Sequence, residues 1–310
     1  MKFLIAGGLG FIGSHLVDSL VKKDHKIKIL TKTLSKKKNI KNVYNKIEIE
    51  KVDLTNFQRL EQSIKKFKPD TIIHLAGNTS HSKSFEKPLK DVDSNTKTTL
   101  FMLEKIRELG LSCKFVLGST FIVIGKPKKL PVNENTSCNP TTIYGANRLS
   151  SEYFCKIYHD LYGLDTNIFR ITNSYGPREQ VIPKKNAVNF LIYQAFRKKE
   201  ISIYNKGKFF RDFIYVDDVI SGINTILKKG KSGELYWISS GKRTWFYQFA
   251  NILEKNTGCS IKYSKTPTYT KRVDVGNFVV DNSKLRKLGW TPKISIDIGI
   301  KKTLKFFQSN

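Results

Sequence analysis

Apolar and polar positions follow two rhythms along the first half of the chain. Phe3 to Ala6, Ile27 to Leu30, Thr71 to Leu75 and Lys114 to Leu117 are short apolar runs with the length of strands buried on both faces. Ile47 to Val52 alternates apolar and charged residues, as a more exposed strand does. Between these runs, apolar residues recur three and four apart. That spacing predicts helices over Gly13 to Lys23, with Leu16, Leu20 and Val21 inward, and over Gln58 to Phe67, Asn95 to Leu109 and Leu149 to Tyr162. A further strand is expected at Thr166 to Ile171. Strands alternating with helices of roughly 10 to 15 residues predict an α/β fold built on a doubly wound parallel sheet, with right-handed crossovers.

The rhythm breaks after Pro177. REQVIPKKN reads as a loop, and turn signals follow at Asn205 to Gly207, Lys229 to Gly233 and Ser239 to Gly241. Two units are therefore expected, a larger one over 1–177 and a smaller α/β lobe over 178–310. A strand at Phe213 to Val216, within a strand–helix unit near 211–229, is expected to return to the first unit.

Length agrees with this division, since 310 residues allow about two units of roughly 150 each. With 39% hydrophobic and 26% charged residues the chain buries a core and is not disordered. Fifty-five Lys and Arg against 26 Asp and Glu leave a net charge of +29, which favours anionic partners. The lysines are spread over the whole chain rather than clustered with aromatics, so nucleic acid is not the expected partner. A non-catalytic, basic cofactor- or nucleic-acid-binding protein stays open as a lesser alternative. The four cysteines form no CxxC pair, and neither a disulfide framework nor a metal site is expected. No run of 18 apolar residues occurs, and the glycines within residues 7 to 13 break the only stretch resembling a leader. A cytoplasmic protein is expected.

The strongest local signal is AGGLGFIGS at residues 6 to 14, between the first strand and the first helix. Gly7, Gly10 and Gly13 carry the spacing of a dinucleotide-binding turn of the Rossmann kind, in which backbone approaches a pyrophosphate too closely for a Cβ. The helix then presents free N–H groups to the phosphates. An acid at the end of the second strand would hold a ribose 2′-hydroxyl. Thr31 and Lys32 stand there instead, which tilts the cofactor from NAD toward NADP; eleven lysines against three acids between residues 22 and 51 weaken that tilt. Asp53 and Leu54, after the third strand, are placed to meet the adenine edge. Tyr144 and Arg148 lie four apart, on one face of a helix start. A phenol next to a fixed cation suits acid/base work on an alcohol–ketone pair.

The chain resembles an extended short-chain dehydrogenase/reductase of the nucleotide-sugar epimerase/dehydratase family. The resemblance is carried by GGLGFIGSHL at 7–16, VDL at 52–54, HLAG at 74–77, DSNTKTT at 93–99, GST at 118–120, YGANRLSSE at 144–152, RITNSYGPRE at 170–179, RDFIYVDDV at 211–219 and DNSKLRKLGW at 281–290. It implies an NAD(P)-binding first domain and a nucleotide-sugar-binding second one. It assigns the catalytic hydroxyl to Thr120, the catalytic tyrosine to Tyr144, and the ribose-binding cation to Arg148, where the family has Lys. Phe11, Ile12, Ala76, Gly77 and Asn95 join the cofactor contacts. Asn173 and Arg211 fall on the diphosphate side of the substrate, Lys271 or Arg272 supplies a further phosphate cation before Asp274, and Ile203 and Tyr204 flank the base.

Dehydratases of this family carry an Asp-Glu pair after the Ser/Thr. Phe121 and Ile122 follow Thr120 here, so 4,6-dehydration and the related decarboxylation are disfavoured. The expected reaction is NAD(P)-dependent oxidation and reduction at C4 of a nucleoside diphosphate sugar. Within it, 4-epimerisation of the UDP-glucose type comes first and an NADP-dependent 4-keto-sugar reductase or dehydrogenase is the alternative. The resemblance also implies a homodimer formed through the helices at 95–109 and 144–162.

Overall fold

The computed structural model of the protein describes residues 1–79, 81–182, 187–266 and 273–309. The first half alternates as the pattern predicts: β1 (Lys2–Ala6), α1 (Phe11–Val21), β2 (Lys26–Thr31), β3 (Glu48–Lys51), α2 (Phe57–Phe67) and β4 (Thr71–His74). Two short helices, α3 (His81–Glu86) and α4 (Pro88–Asp91), precede α5 (Thr98–Glu108), β5 (Lys114–Thr120), α6 (Ile143–Tyr162) and β6 (Thr166–Ile171). In the second half, where strands are shorter on the whole, β7 (Asn173–Tyr175), α7 (Ala187–Lys198), β8 (Glu200–Tyr204), β9 (Phe210–Arg211), β10 (Phe213–Tyr215), α8 (Val216–Lys229), β11 (Leu235–Ile238), β12 (Thr244–Trp245), α9 (Phe246–Thr257) and β13 (Ser260–Ser264) are followed by α10 (Ser283–Arg286) and α11 (Ile296–Gln308).

Seven parallel strands form the central sheet in the order β11-β6-β5-β4-β1-β2-β3. Its strands are buried on both faces because helices cover both. Alternate residues accordingly enter different cores: Phe3, Ile5, Ile73 and Val116 join one cluster, while Leu4, Ala6, Ile72 and Phe115 join the other. At the edge, the charged alternation of β3 has a purpose. Glu48 and Glu50 pair at 2.8 and 2.9 Å with Lys28, a buried lysine of β2.

Three differences from the sequence reading matter for the site. Helix α6 runs forward of the apolar periodicity at Leu149 to Tyr162 and begins at Ile143, one residue before the helix start expected at Tyr144, because Thr142 caps it by accepting from the Gly145 N–H at 3.0 Å. The stretch Val92–Lys97 is a π-turn leading into α5, and it contains the buried Asn95. The strand expected at 213–216 forms as β10 but pairs with β7, outside the central sheet. Its partner β7 belongs to the stretch 1–177, whereas the strand that joins the central sheet from the second half is β11, paired with β6.

Asp217 and Asp218 do not cap α8 with their side chains. Asp217 pairs with Lys302 at 2.7 Å. Asp218 accepts from the backbone N–H groups of Lys293 and Ile294, and so pins the last part of the chain. The two remaining pairs, β8 with β13 and β9 with β12, stand beyond the C-terminal ends of the central strands. Among the described residues, no helix is long and apolar enough to cross a membrane.

Candidate active site

Chain order reverses between β1 and β4: β2 and β3 lie on one side, β5, β6 and β11 on the other. Ligands of open α/β sheets bind at the carboxyl ends of the strands at such a switch point. A cleft of about 2170 Å³ opens there. Single small-molecule pockets reach roughly 1,000 Å³, so this one has room for two ligands side by side.

The turn after β1 forms one end of the cleft. Gly7 has φ +87°, and a Cβ on it would lie 2.9 Å from the Ala76 nitrogen. A Cβ on Gly13 would collide with the Gly7 carbonyl, so only glycine lets α1 pack onto the turn. Gly10 differs, since a Cβ there would meet only the Gly7 oxygen, at 3.1 Å; its surroundings are otherwise open. Helix α1 starts directly afterwards with no side-chain cap and no acid in its first turn. Phe11, Ile12 and Gly13 line the cleft, and first-turn N–H groups have no partner within a helix. That arrangement suits a pyrophosphate.

At the neighbouring edge, Thr31, Lys32, Asp53 and Leu54 all line the cleft. Lys32 is not a bare cation: its Nζ lies 2.6 Å from Asp53 Oδ2. Burial works against the Asp53 carboxylate. Hydrogen bonds from Lys32 and Thr55 nonetheless hold its pKa below the usual carboxylate range.

Deeper in, Ala76 and Gly77 follow β4 and line the cleft with Arg148. Arg148 is 2% exposed. Its Nη2 donates to the Ala76 carbonyl at 3.2 Å, while Nε and Nη1 have no hydrogen-bond partner. Asn95 is fully buried beside it and its Oδ1 is also unpartnered; a Cβ on Gly77 would collide with that oxygen. Unpaired buried donors are costly. Two guanidinium donors and an amide acceptor left open beside the cleft fit the hydroxyls of a nicotinamide ribose. The same cation, together with burial as the larger cause, pushes the His74 pKa down to about 3, so that ring is neutral.

Two hydroxyls complete the arrangement. Tyr144, 6% exposed in the first turn of α6, lines the cleft. Thr120 ends β5, where its Oγ1 accepts from the Ile122 N–H at 3.3 Å and keeps its own proton to donate. Helix α6 reaches this turn closely, because Gly145 sits where a Cβ would be 3.1 Å from Ile122 Cγ2. Phe121 and Ile122 line the cleft beside them without a carboxylate.

The far wall comes from the second half. Asn173, Ile203, Tyr204 and Arg211 all line it. Asn173 Nδ2 donates to the Asp212 carbonyl at 3.4 Å. Arg211 is 6% exposed, pairs with Asp274 and lies over the Phe209 ring at 5.2 Å. Ile203 is a buried core residue at the cleft edge, whereas Tyr204 is exposed. Lys271 and Arg272 lie outside the described residues. Of the described residues expected at the site, Asn95 alone does not line the cleft, standing just behind it. Ser119, Glu152 and Arg170, all buried next to Thr120, were not singled out from the sequence, although each sits within a quoted motif.

The family model described as GDP-mannose 4,6 dehydratase matches residues 4–303. A UDP-glucuronate 4-epimerase from Thermodesulfobacterium geofontis is 30% identical over 320 residues, covering 99% of this chain and 96% of that protein. A dTDP-glucose 4,6-dehydratase from Salmonella typhimurium is 27% identical, covering 100% and 93%. Among solved structures, UDP-glucose 4-epimerase from Thermotoga maritima with UDP-glucose superposes with a TM-score of 0.92 at 28% identity, covering 100% of this chain and 99% of that one. UDP-glucuronic acid 4-epimerase from Bacillus cereus, in complex with UDP-glucuronic acid and NAD, gives 0.88 at 27% identity, covering 100% and 99%. Epimerases and dehydratases thus match alike, and similarity by itself does not choose between them. The chain belongs to the extended short-chain dehydrogenase/reductase family of nucleotide-sugar epimerases and dehydratases.

Proposed function

We propose that this protein is an NAD-dependent 4-epimerase of a nucleoside diphosphate sugar. The observation that carries the proposal is the wall around Thr120 and Tyr144. Both hydroxyls open on the cleft of the glycine turn, and Phe121 and Ile122 occupy the places that follow Thr120. Neither can move a proton, so 4,6-dehydration lacks its acid and base. Oxidation and reduction of a carbinol needs only a phenol, a hydroxyl and a hydride carrier.

Gly7, Gly10 and the first turn of α1 hold the cofactor pyrophosphate in this reading, and Arg148 with Asn95 holds the ribose next to the nicotinamide. When bound, the nicotinamide would accept the hydride released from C4 of the sugar and give it back to the same carbon, so that no net oxidant is consumed. Tyr144 takes the proton of the 4-hydroxyl, and Thr120 donates a hydrogen bond to the same oxygen as it becomes a carbonyl. Arg148 keeps a fixed positive charge one helical turn from the phenol, since a guanidinium is not deprotonated in proteins. The 4-keto sugar turns over within the cleft, and Tyr144 returns the proton. Asn173 and Arg211 hold the diphosphate meanwhile, with Lys271 or Arg272 as further cations; Ile203 and Tyr204 flank the base.

Pairing of Lys32 with Asp53 removes the bare cation on which a lean to NADP rested, and NAD is the cofactor proposed. A second copy is expected on the outer face of α6, where Tyr153, Ile157 and Leu161 recur four apart and are 58%, 43% and 71% exposed. Sedimentation of the purified protein tests that pairing, and a monomer would exclude it.

Incubation of the purified protein with UDP-glucose or UDP-galactose, without added cofactor, tests the reaction. Interconversion of the two is expected, as is release of NAD on denaturation. Stoichiometric consumption of NADPH with a 4-keto sugar would instead make it a reductase, and a 4-keto-6-deoxy product would make it a dehydratase.

A further inference from the structure

The two hydroxyls proposed to act on the sugar come from different elements: Thr120 ends a strand and Tyr144 begins a helix. Productive geometry tolerates errors of only about 0.5 Å. Whatever fixes α6 against the end of β5 therefore sets the separation of the two groups. Gly145 against Ile122 is one fastening, at the start of the helix. A second lies two turns on. Tyr144, Arg148 and Glu152 follow each other at intervals of four along one face of α6. Glu152 accepts a short hydrogen bond from the Ser119 hydroxyl, in the residue before Thr120. It also accepts from Arg170, Nε to Oε1 at 3.0 Å and to Oε2 at 3.2 Å, and Nη2 to Oε2 at 2.6 Å.

Arg170 is not placed at random. It stands directly across from Ser119 in the parallel pairing of β5 with β6, just as Ile171 stands across from Thr120. One carboxylate of the catalytic helix thus ties together the ends of two neighbouring strands. The guanidinium is held on its other sides by Cys138 Sγ at 3.1 Å and by the Trp237 ring at 5.4 Å. Both charges are out of water, with side chains 4% and 5% exposed.

Such a pair is weak as a source of stability, because desolvation offsets the attraction; apolar residues of similar volume often replace it without loss. Its best-attested use is to fix one arrangement among several packed ones. We infer that Glu152, bridging Ser119 and Arg170, is a positioning residue that holds Thr120 and Tyr144 in register on the sugar 4-hydroxyl. This rests on the reaction proposed above.

Two kinds of variant test it, with UDP-glucose as substrate. Ser119→Ala removes only the tie to the catalytic strand and leaves the ion pair intact. It should lower kcat about tenfold, since misplacement by 1 Å costs about 10²-fold and a lost tether allows a fraction of that. KM, NAD content and Tm should stay near wild type, and Ser119→Thr, which keeps the hydroxyl, should restore kcat. The double variant Glu152→Leu with Arg170→Met should match or exceed the wild-type Tm yet lose kcat to a similar extent. An active wild type with an equally active Ser119→Ala variant would overturn the inference and leave the proposed reaction standing. A kcat loss in Ser119→Ala that tracks a fall in Tm, unrestored by Thr, would make the network merely structural. A wild type inert on nucleoside diphosphate sugars would remove the reaction, and this inference with it.

Discussion

The two halves of the cleft are built on different principles. On the side of the glycine turn, the cleft is walled by backbone held in a seven-stranded parallel sheet, and side chains matter chiefly where they are missing. Gly7 and Gly13 each sit where a Cβ would strike fixed main chain. On the far side, the cleft is walled by side chains borne by strand pairs of two to five residues, such as β9 with β12 and β8 with β13. Arg211 reaches that wall already paired with Asp274. A surface made from backbone admits little variation. A wall made from side chains on short elements can be rebuilt to suit another base or sugar.

Substitutions should separate the halves, and the largest effect belongs to the residue between them. Tyr144→Phe should lower kcat by about 10²- to 10⁴-fold, the usual contribution of a positioned acid/base. NAD content and UDP binding, read by calorimetry, should survive. Gly13→Ala should damage the cofactor half alone. It forces α1 off the turn, so the cost of overpacking, about 1–3 kcal/mol, should appear as a fall in Tm and a loss of NAD of tenfold or more. Arg211→Lys should do the converse, raising KM for UDP-glucose about tenfold, because an ammonium cannot reproduce the guanidinium fork, while NAD content holds.

A smaller effect concerns acid. His74 is fully buried behind the cofactor half, with a folded pKa near 3 against an ordinary value of 6.5. Its contribution to stability is complete above pH 6.5. It is lost progressively as pH falls from 6.5 toward 3, by up to about 1.4 kcal/mol per pH unit, because the unfolded chain takes up a proton that the fold excludes. Urea midpoints between pH 7 and 5 should therefore fall on acidification, and less steeply in His74→Asn. The smallest effect is expected for Lys32→Ala. An exposed ion pair contributes about 0–1 kcal/mol, so NAD affinity should change by less than about fivefold; a larger loss would restore Lys32 as a cofactor ligand.

This contrast also explains what was legible before the fold was known. Glycine spacing between a strand and a helix is a local constraint, and the turn it marked does line the cleft. The start of β5 could be seen from the apolar run Lys114 to Leu117, whereas Thr120 at its end was marked only by the family resemblance through GST at 118–120. Contacts between distant residues leave no such trace. Lys32 with Asp53, and Glu152 with Arg170, pair across different elements, so no spacing announces them. Strand β11 was overlooked for a related reason: four residues, Leu235 to Ile238, become a sheet strand only because β6 lies beside them. The start of α6 was legible at Tyr144 and Arg148, although the apolar periodicity begins only at Leu149; the cap that fixes it is Thr142.

The central claim is that hydride leaves C4 of the sugar and returns to it while Tyr144 handles the oxygen proton. UDP-glucose carrying deuterium at C4, followed by NMR in ordinary water, tests it most directly. Deuterium should remain at C4 in both UDP-glucose and UDP-galactose, and no carbon-bound solvent hydrogen should enter the product. Loss of the label to water, or its appearance at C6, would contradict the account.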